Sequence, residues 1–100
     1  MHIETKSKIQ FMAEANKWFD KVNGNTYHSV RITRCSDGAV IKCQFQYGYG
    51  DQYRYTALEA MKQAGWIKTD NIHRFEREND YPIHWCCFDT TKRECVANGK

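Results

Sequence analysis

Between Thr26 and Tyr47 the chain alternates twice, and this double alternation constrains the fold more than any other feature. In the first run His28, Val30 and Ile32 take the even positions, and Tyr27, Ser29, Arg31 and Thr33 the odd ones. In the second run, Val40 to Tyr47, the residues Ile41, Cys43, Phe45 and Tyr47 alternate with Lys42, Gln44 and Gln46. A period of two predicts strands with one buried and one wet face. Ser36-Asp37-Gly38 between the runs is turn chemistry, because glycine is free to take positive φ. Val30, Ile32, Ile41, Cys43 and Phe45 are therefore expected to face the helices.

The helical spacing of Tyr53, Ala57, Ala60, Met61 and Ala64 predicts a helix over Gln52–Ala64, with Asp51 as N-cap and Gly65 as its left-handed stop. Its alanines let it lie close to a sheet. Phe11, Ala15, Trp18 and Val22 form a second helical stripe, which predicts a helix over Lys8–Val22 capped by Ser7 and stopped at Asn23-Gly24. Trp66 to Tyr81 is charged and reads as a surface connection, with a short helical turn near Ile72–Phe75. After Pro82, the run Ile83-His84-Trp85-Cys86-Cys87-Phe88 reads as a strand extending toward Cys95. The order α-β-β-α-β defines an α+β fold, a small three-stranded antiparallel sheet with two helices on one face. The Thr26–Arg34 strand is expected in its middle.

One hundred residues make a single domain, 1–100, which buries roughly two thirds of its unfolded surface. Its ends, 1–6 and 97–100, are expected to fray. A net charge of +3, from 15 basic and 12 acidic residues, excludes an acidic DNA mimic and permits nucleic-acid binding without requiring it. Five cysteines, an odd count with no secretory pattern, point to reduced thiols in the cytoplasm. No apolar run approaches the ~20 residues of a membrane span.

Chemistry-bearing motifs are sparse. Gly48-Tyr49-Gly50-Asp51 precedes a helix N-terminus, yet no lysine follows as in a phosphate loop, and Asp51 repels anions. His84, Cys86, Cys87 and Cys95, with Cys35 and Cys43, lack the paired knuckles of a zinc site, so no metal or cofactor is expected. Neighbours Cys86 and Cys87 point to opposite faces of a strand. His28 and Cys43 have no third group to orient them and no oxyanion-hole motif, so no enzyme is expected. The polar sheet face and the tyrosines remain. Tyr47 and Tyr53 read as core. Tyr27, Arg31, Lys42, Gln44, Tyr49 and Tyr55 read as the partner-binding surface, since tyrosine combines a rigid apolar body with a polar tip.

Asn25-Thr26-Tyr27-His28-Ser29-Val30, Tyr47-Gly48-Tyr49-Gly50-Asp51-Gln52-Tyr53 and Thr56-Ala57-Leu58-Glu59 together resemble a group of short bacteriophage and prophage proteins. The resemblance covers roughly residues 20–65. It implies phage origin and action in the bacterial cytoplasm. The corresponding expectation is an accessory protein that binds a host protein, a defence or nucleic-acid-processing factor, and inhibits or redirects it. One alternative is a direct nucleic-acid binder using Tyr27, Arg31, Arg34, Lys42 and Tyr49. The other is a nucleotide or small-ligand binder at Gly48–Asp51.

Overall fold

The segment that reads as the first helix is a strand, and it lies inside the sheet. A computed structural model describes residues 9–68, 74, 75, 77 and 82–100. It contains β1 (Phe11–Asp20), β2 (Asn25–Arg34), β3 (Val40–Tyr47), α1 (Gln52–Gln63), β4 (Ile83–Asp89) and α2 (Lys92–Asn98). The sheet order is β3-β2-β1-β4. The first three strands form an antiparallel meander, and β4 returns parallel to β1. The expected three antiparallel strands are thus replaced by a four-stranded mixed sheet.

The reason lies in Phe11–Asp20 itself. Its apolar residues fit both periods, because Phe11, Ala13 and Ala15 also alternate with Met12, Glu14 and Asn16. A helix of this length is marginal alone. As a strand the segment is paired along both edges, with β2 and with β4. Asn23-Gly24 closes the hairpin instead of ending a helix. Gly24 adopts φ 71° and donates its N–H to the Asp20 carbonyl. The Asp20 carboxylate accepts from the N–H groups of Val22 and Asn23.

Cross-strand register assigns the faces. Phe11, Ala13 and Ala15 stand beside Arg34, Ile32 and Val30, and beside Ile83, Trp85 and Cys87. Ile41 and Cys43 complete this row on β3. Against it α1 lays Tyr53, Ala57, Leu58 and Met61, all buried. Ala13, Ala15 and Ala57 are at most 1% exposed, so helix and sheet backbones approach closely, as the alanine spacing predicts. At its end Gly65, φ 79°, donates to Lys62, and Trp66 donates to Met61, the paired bonds of a Schellman stop. Asp51 occupies the N-cap position but makes no side-chain cap bond.

The other helix lies on the opposite face. Thr91 and Glu94 form a reciprocal capping box, which turns the chain out of β4 well before Cys95. Ser29 donates its hydroxyl to the Cys95 carbonyl across the sheet. The Asn98 side-chain amide donates to the Glu14 carbonyl at 3.1 Å. Gly99 is buried rather than frayed, and a Cβ there would stand 2.7 Å from the Cys43 carbonyl and 2.9 Å from the Gln44 Cα.

Of the expected surface connection, Ile67 and Phe75 are buried and Trp66 stacks on Phe11 at 5.9 Å. Ser7, Lys8 and most of the helical turn near Ile72–Phe75 lie outside the described residues.

Gly99→Ala is expected to lower stability by about 1–3 kcal/mol, because the methyl group meets backbone that cannot give way as a side chain does. Urea denaturation measures this, and a variant within 0.5 kcal/mol of wild type (roughly the scatter of surface substitutions) contradicts the close docking of α2.

Candidate protein-binding surface

The expected partner-binding residues do not form one patch. Tyr27 lies on the α2 face of the sheet, where it is half-buried. Arg31 and Lys42 are direct cross-strand partners, at the other end of this face. Arg31 is only half-exposed, and its Nε is buried with no hydrogen-bond partner among the described residues. Gln44 lies under Gly99 at the end of α2. Tyr49 is 70% exposed in the loop after β3. Tyr55 lies on the outside of α1, lining a groove beside Gln46 and Glu59. Arg34 is held by Asp37 at 2.7 Å and stacks over Trp66, so the nucleic-acid alternative loses one of its cations.

A more coherent site lies where β1 and β3 end and β2 begins. Trp18, Tyr27 and Tyr47 occupy neighbouring positions on three strands, Trp18 opposite Tyr27 and Tyr27 opposite Tyr47. Phe45 joins them because the register of β3 shifts between His28 and Val30. That bulge sets two residues of β3, Gln44 and Phe45, against Ser29. Phe45 therefore leaves the α1 face, where strict alternation predicts it, for the α2 face. Tyr27 stacks on Phe45 at 5.0 Å and on Trp18 at 5.7 Å, and meets Tyr47 edge-on at 5.9 Å. Each such pair adds about 0.5–1.5 kcal/mol beyond its area burial. Tyr47, expected in the core, is 58% exposed. Phe19 and Val22, at 53% and 92%, extend the apolar surface around the same end.

The cluster is held from several sides. The Lys92 ammonium lies 5.5 Å from the Trp18 ring centre. Val96 and Gly99 of the α2 end line the same groove as Phe45. Behind it, His28 is fully buried. Its Nδ1–H donates to the Gly48 carbonyl at 3.1 Å, since a carbonyl only accepts, which leaves Nε2 to accept from the Thr56 hydroxyl at 2.9 Å. Gly48 thus fixes the imidazole: a Cβ there would stand 2.6 Å from His28 Cε1. Burial holds the His28 pKa below its ordinary value, opposed by the Gly48 bond, with the Lys17 charge lowering it further.

The Cys43 thiol turns toward the Thr56 carbonyl, and burial pushes its pKa up to about 11. His28 and Cys43 therefore both address Thr56 and not each other. Cys86 and Cys87 fall on opposite faces, as read from the sequence. Among the described residues no three His, Cys, Asp or Glu side chains converge as a metal-binding group. No described helix is long and apolar enough to cross a membrane.

Trp18, Phe45 and Tyr47 are the site residues that sequence reasoning misses. The Asn-Gly pair flanked by alternation is a hairpin signal that points to Trp18. Nothing in the local sequence announces the bulge that moves Phe45. No family model matches the chain, and no curated protein or solved structure matches it either.

Two outcomes follow for this region. The unfolded chain takes up the His28 proton at higher pH than the fold does. Stability is therefore level above about pH 6.5 and falls as pH drops below it, at up to about 1.4 kcal/mol per unit. Urea midpoints between pH 7.5 and 5 measure the slope, and His28→Gln is expected to flatten it. An unchanged slope in that variant assigns the acid sensitivity elsewhere. With a thiol reagent under native conditions, the exposed Cys35 and Cys87 are expected to label first, and the buried Cys43 and Cys95 only on unfolding. Early labelling of Cys95 contradicts the docked position of α2.

Proposed function

We propose that the domain is a protein-binding module that docks its aromatic end on a partner. The resemblance to phage proteins makes that partner a protein of the bacterial host, whose activity the module inhibits or redirects. The observation that carries this reading is the Trp18–Tyr27–Phe45–Tyr47 cluster. It is a preformed, partly exposed aromatic surface, and exposed Tyr47 and Tyr49 are anchors of the kind that dominate protein interfaces.

Ring geometry weighs against the nucleic-acid alternative. Nucleobases stack on free ring faces. Here Tyr27 stacks on both Trp18 and Phe45, and Lys92 lies over Trp18. Cluster edges and the Tyr47 ring are what a partner meets. The remaining support for nucleic acid is the Arg31–Lys42 pair at the far end of the face.

Affinity capture from bacterial lysate, with and without nuclease, tests the proposal. One stoichiometric protein is expected to survive nuclease treatment. Tyr47→Ala and Tyr49→Ala are each expected to weaken its capture about tenfold, or ~1.4 kcal/mol. Neither should move the thermal midpoint by more than a few degrees, since both side chains are exposed. Recovery of nucleic acid alone, lost as salt rises, overturns the proposal in favour of phosphate binding.

A further inference from the structure

Beside the aromatic cluster β1 runs on where β4 has stopped. The last cross-strand pair is Lys17 with Asp89, so among the described residues no strand pairs with Trp18, Phe19 and Asp20 on that side. Odd residues of β1 direct their backbone toward β4: Phe11 donates its N–H to Pro82, and the Lys17 carbonyl accepts from Thr90. By that alternation Phe19 presents its N–H and C=O to the vacant position. A cleft of about 390 Å³ opens there, lined by Trp18, Phe19, Lys21, Asp89 and Lys92 among others. Its exposed aromatic surface is Phe19, 53% exposed, while Trp18 is half-buried beneath Lys92.

Its rim is positive. Lys21 and Lys92 have no ion-pair partner among the described residues. Asp89 also lines the cleft, opposite Lys17 in the strand register, so one carboxylate stands among three lysines, Lys17, Lys21 and Lys92. The nearby Asp20 has its carboxylate hydrogen-bonded to Asn23 and Val22, which, with the Lys92 charge, holds its pKa below the usual range. The lysines of the lining thus outnumber its single carboxylate, Asp89.

We infer that this notch receives an extended acidic segment of the partner protein. The inference rests on the protein-binding reading and names the partner's chemistry. The segment lies in the line of β4 and pairs with the open Phe19 backbone, as strand-adding peptides do. An apolar side chain rests on Phe19, and carboxylates meet Lys21 and Lys92. Pairing a short strand edge gives direction, and the lysines give selection for charge.

The test is an amide NMR titration of the full chain with three probes: a synthetic hexapeptide alternating Glu with Ile, its Lys-Ile counterpart, and an octathymidylate. The acidic peptide is expected to bind with Kd of about 1 mM or tighter. It should move the amides of Phe19, Lys21 and Lys92 and weaken as salt rises. Lys21→Glu/Lys92→Glu should weaken it at least tenfold, whereas Tyr47→Ala should leave it unchanged. No movement of those amides at about 5 mM peptide, well above the expected Kd, overturns the inference, as do equal shifts with the basic peptide or tighter binding of the octathymidylate. If the peptide fails while capture of a host protein persists, the inference falls and the protein-binding reading stands. If the peptide binds while capture yields only nucleic acid, that reading falls and the acidic-segment site stands.

Discussion

The pairing of β1 along both of its edges is the constraint on which the remaining structure depends. Its antiparallel edge holds the hairpin to β2, a contact made locally across a four-residue turn. Its parallel edge holds β4, whose partners lie some seventy positions away, as Phe11 with Ile83 illustrates. Closing so long a loop costs entropy before any contact rewards it. Everything after β4 inherits its position from that closure. The capping box at Thr91 turns the chain over the sheet, and α2 then reaches Ser29, Glu14 and finally β3. A chain end is thereby tied across three strands by a seven-residue helix with one buried side chain, Cys95.

The two helices hold the sheet by different means. α1 buries apolar area on a row of small and branched residues, a contact worth roughly 25 cal/mol per Å² of apolar surface removed from water. α2 is held largely by directed bonds to backbone carbonyls, from Asn98 to Glu14 and from the Cys95 thiol to Asn16. Such bonds contribute about 1 kcal/mol each, and they specify position more than they add stability. This division explains why a face with Ser29, Asn16 and Glu14 on it is covered at all.

Much of this was legible in the residues. β3 begins and ends where alternation predicts, and α1 differs from its expected span by one residue. Val30, Ile32 and Cys43 are buried as read. β1 was not legible, because the stripe Phe11, Ala15, Trp18, Val22 satisfies the helical period, and only long-range pairing decides between the two. α2 was hidden because the apolar Ile83–Phe88 run suggests a strand that continues, while Thr91 and Glu94 form a capping signal lying within polar sequence. Of the tyrosines read as a partner surface, Tyr27 lies in the aromatic cluster, Tyr49 in the loop after β3 and Tyr55 on the outside of α1, while Trp18 and Phe45 were absent from that set.

The bulge in β3 matters for what the molecule avoids as well as for where it places Phe45. β3 is the outermost strand on its side of the sheet. An outermost strand of eight regular residues would offer an unbroken row of donors and acceptors to any strand nearby, including another copy of itself. Here the row is interrupted at Gln44–Phe45, and the side-chain amide of Gln46 donates to the Gln44 carbonyl at 2.9 Å, occupying one acceptor from within the chain. Lys42 adds a charge to what remains. The irregularity that places Phe45 among the aromatic rings also breaks the template on which fibrous stacking would grow.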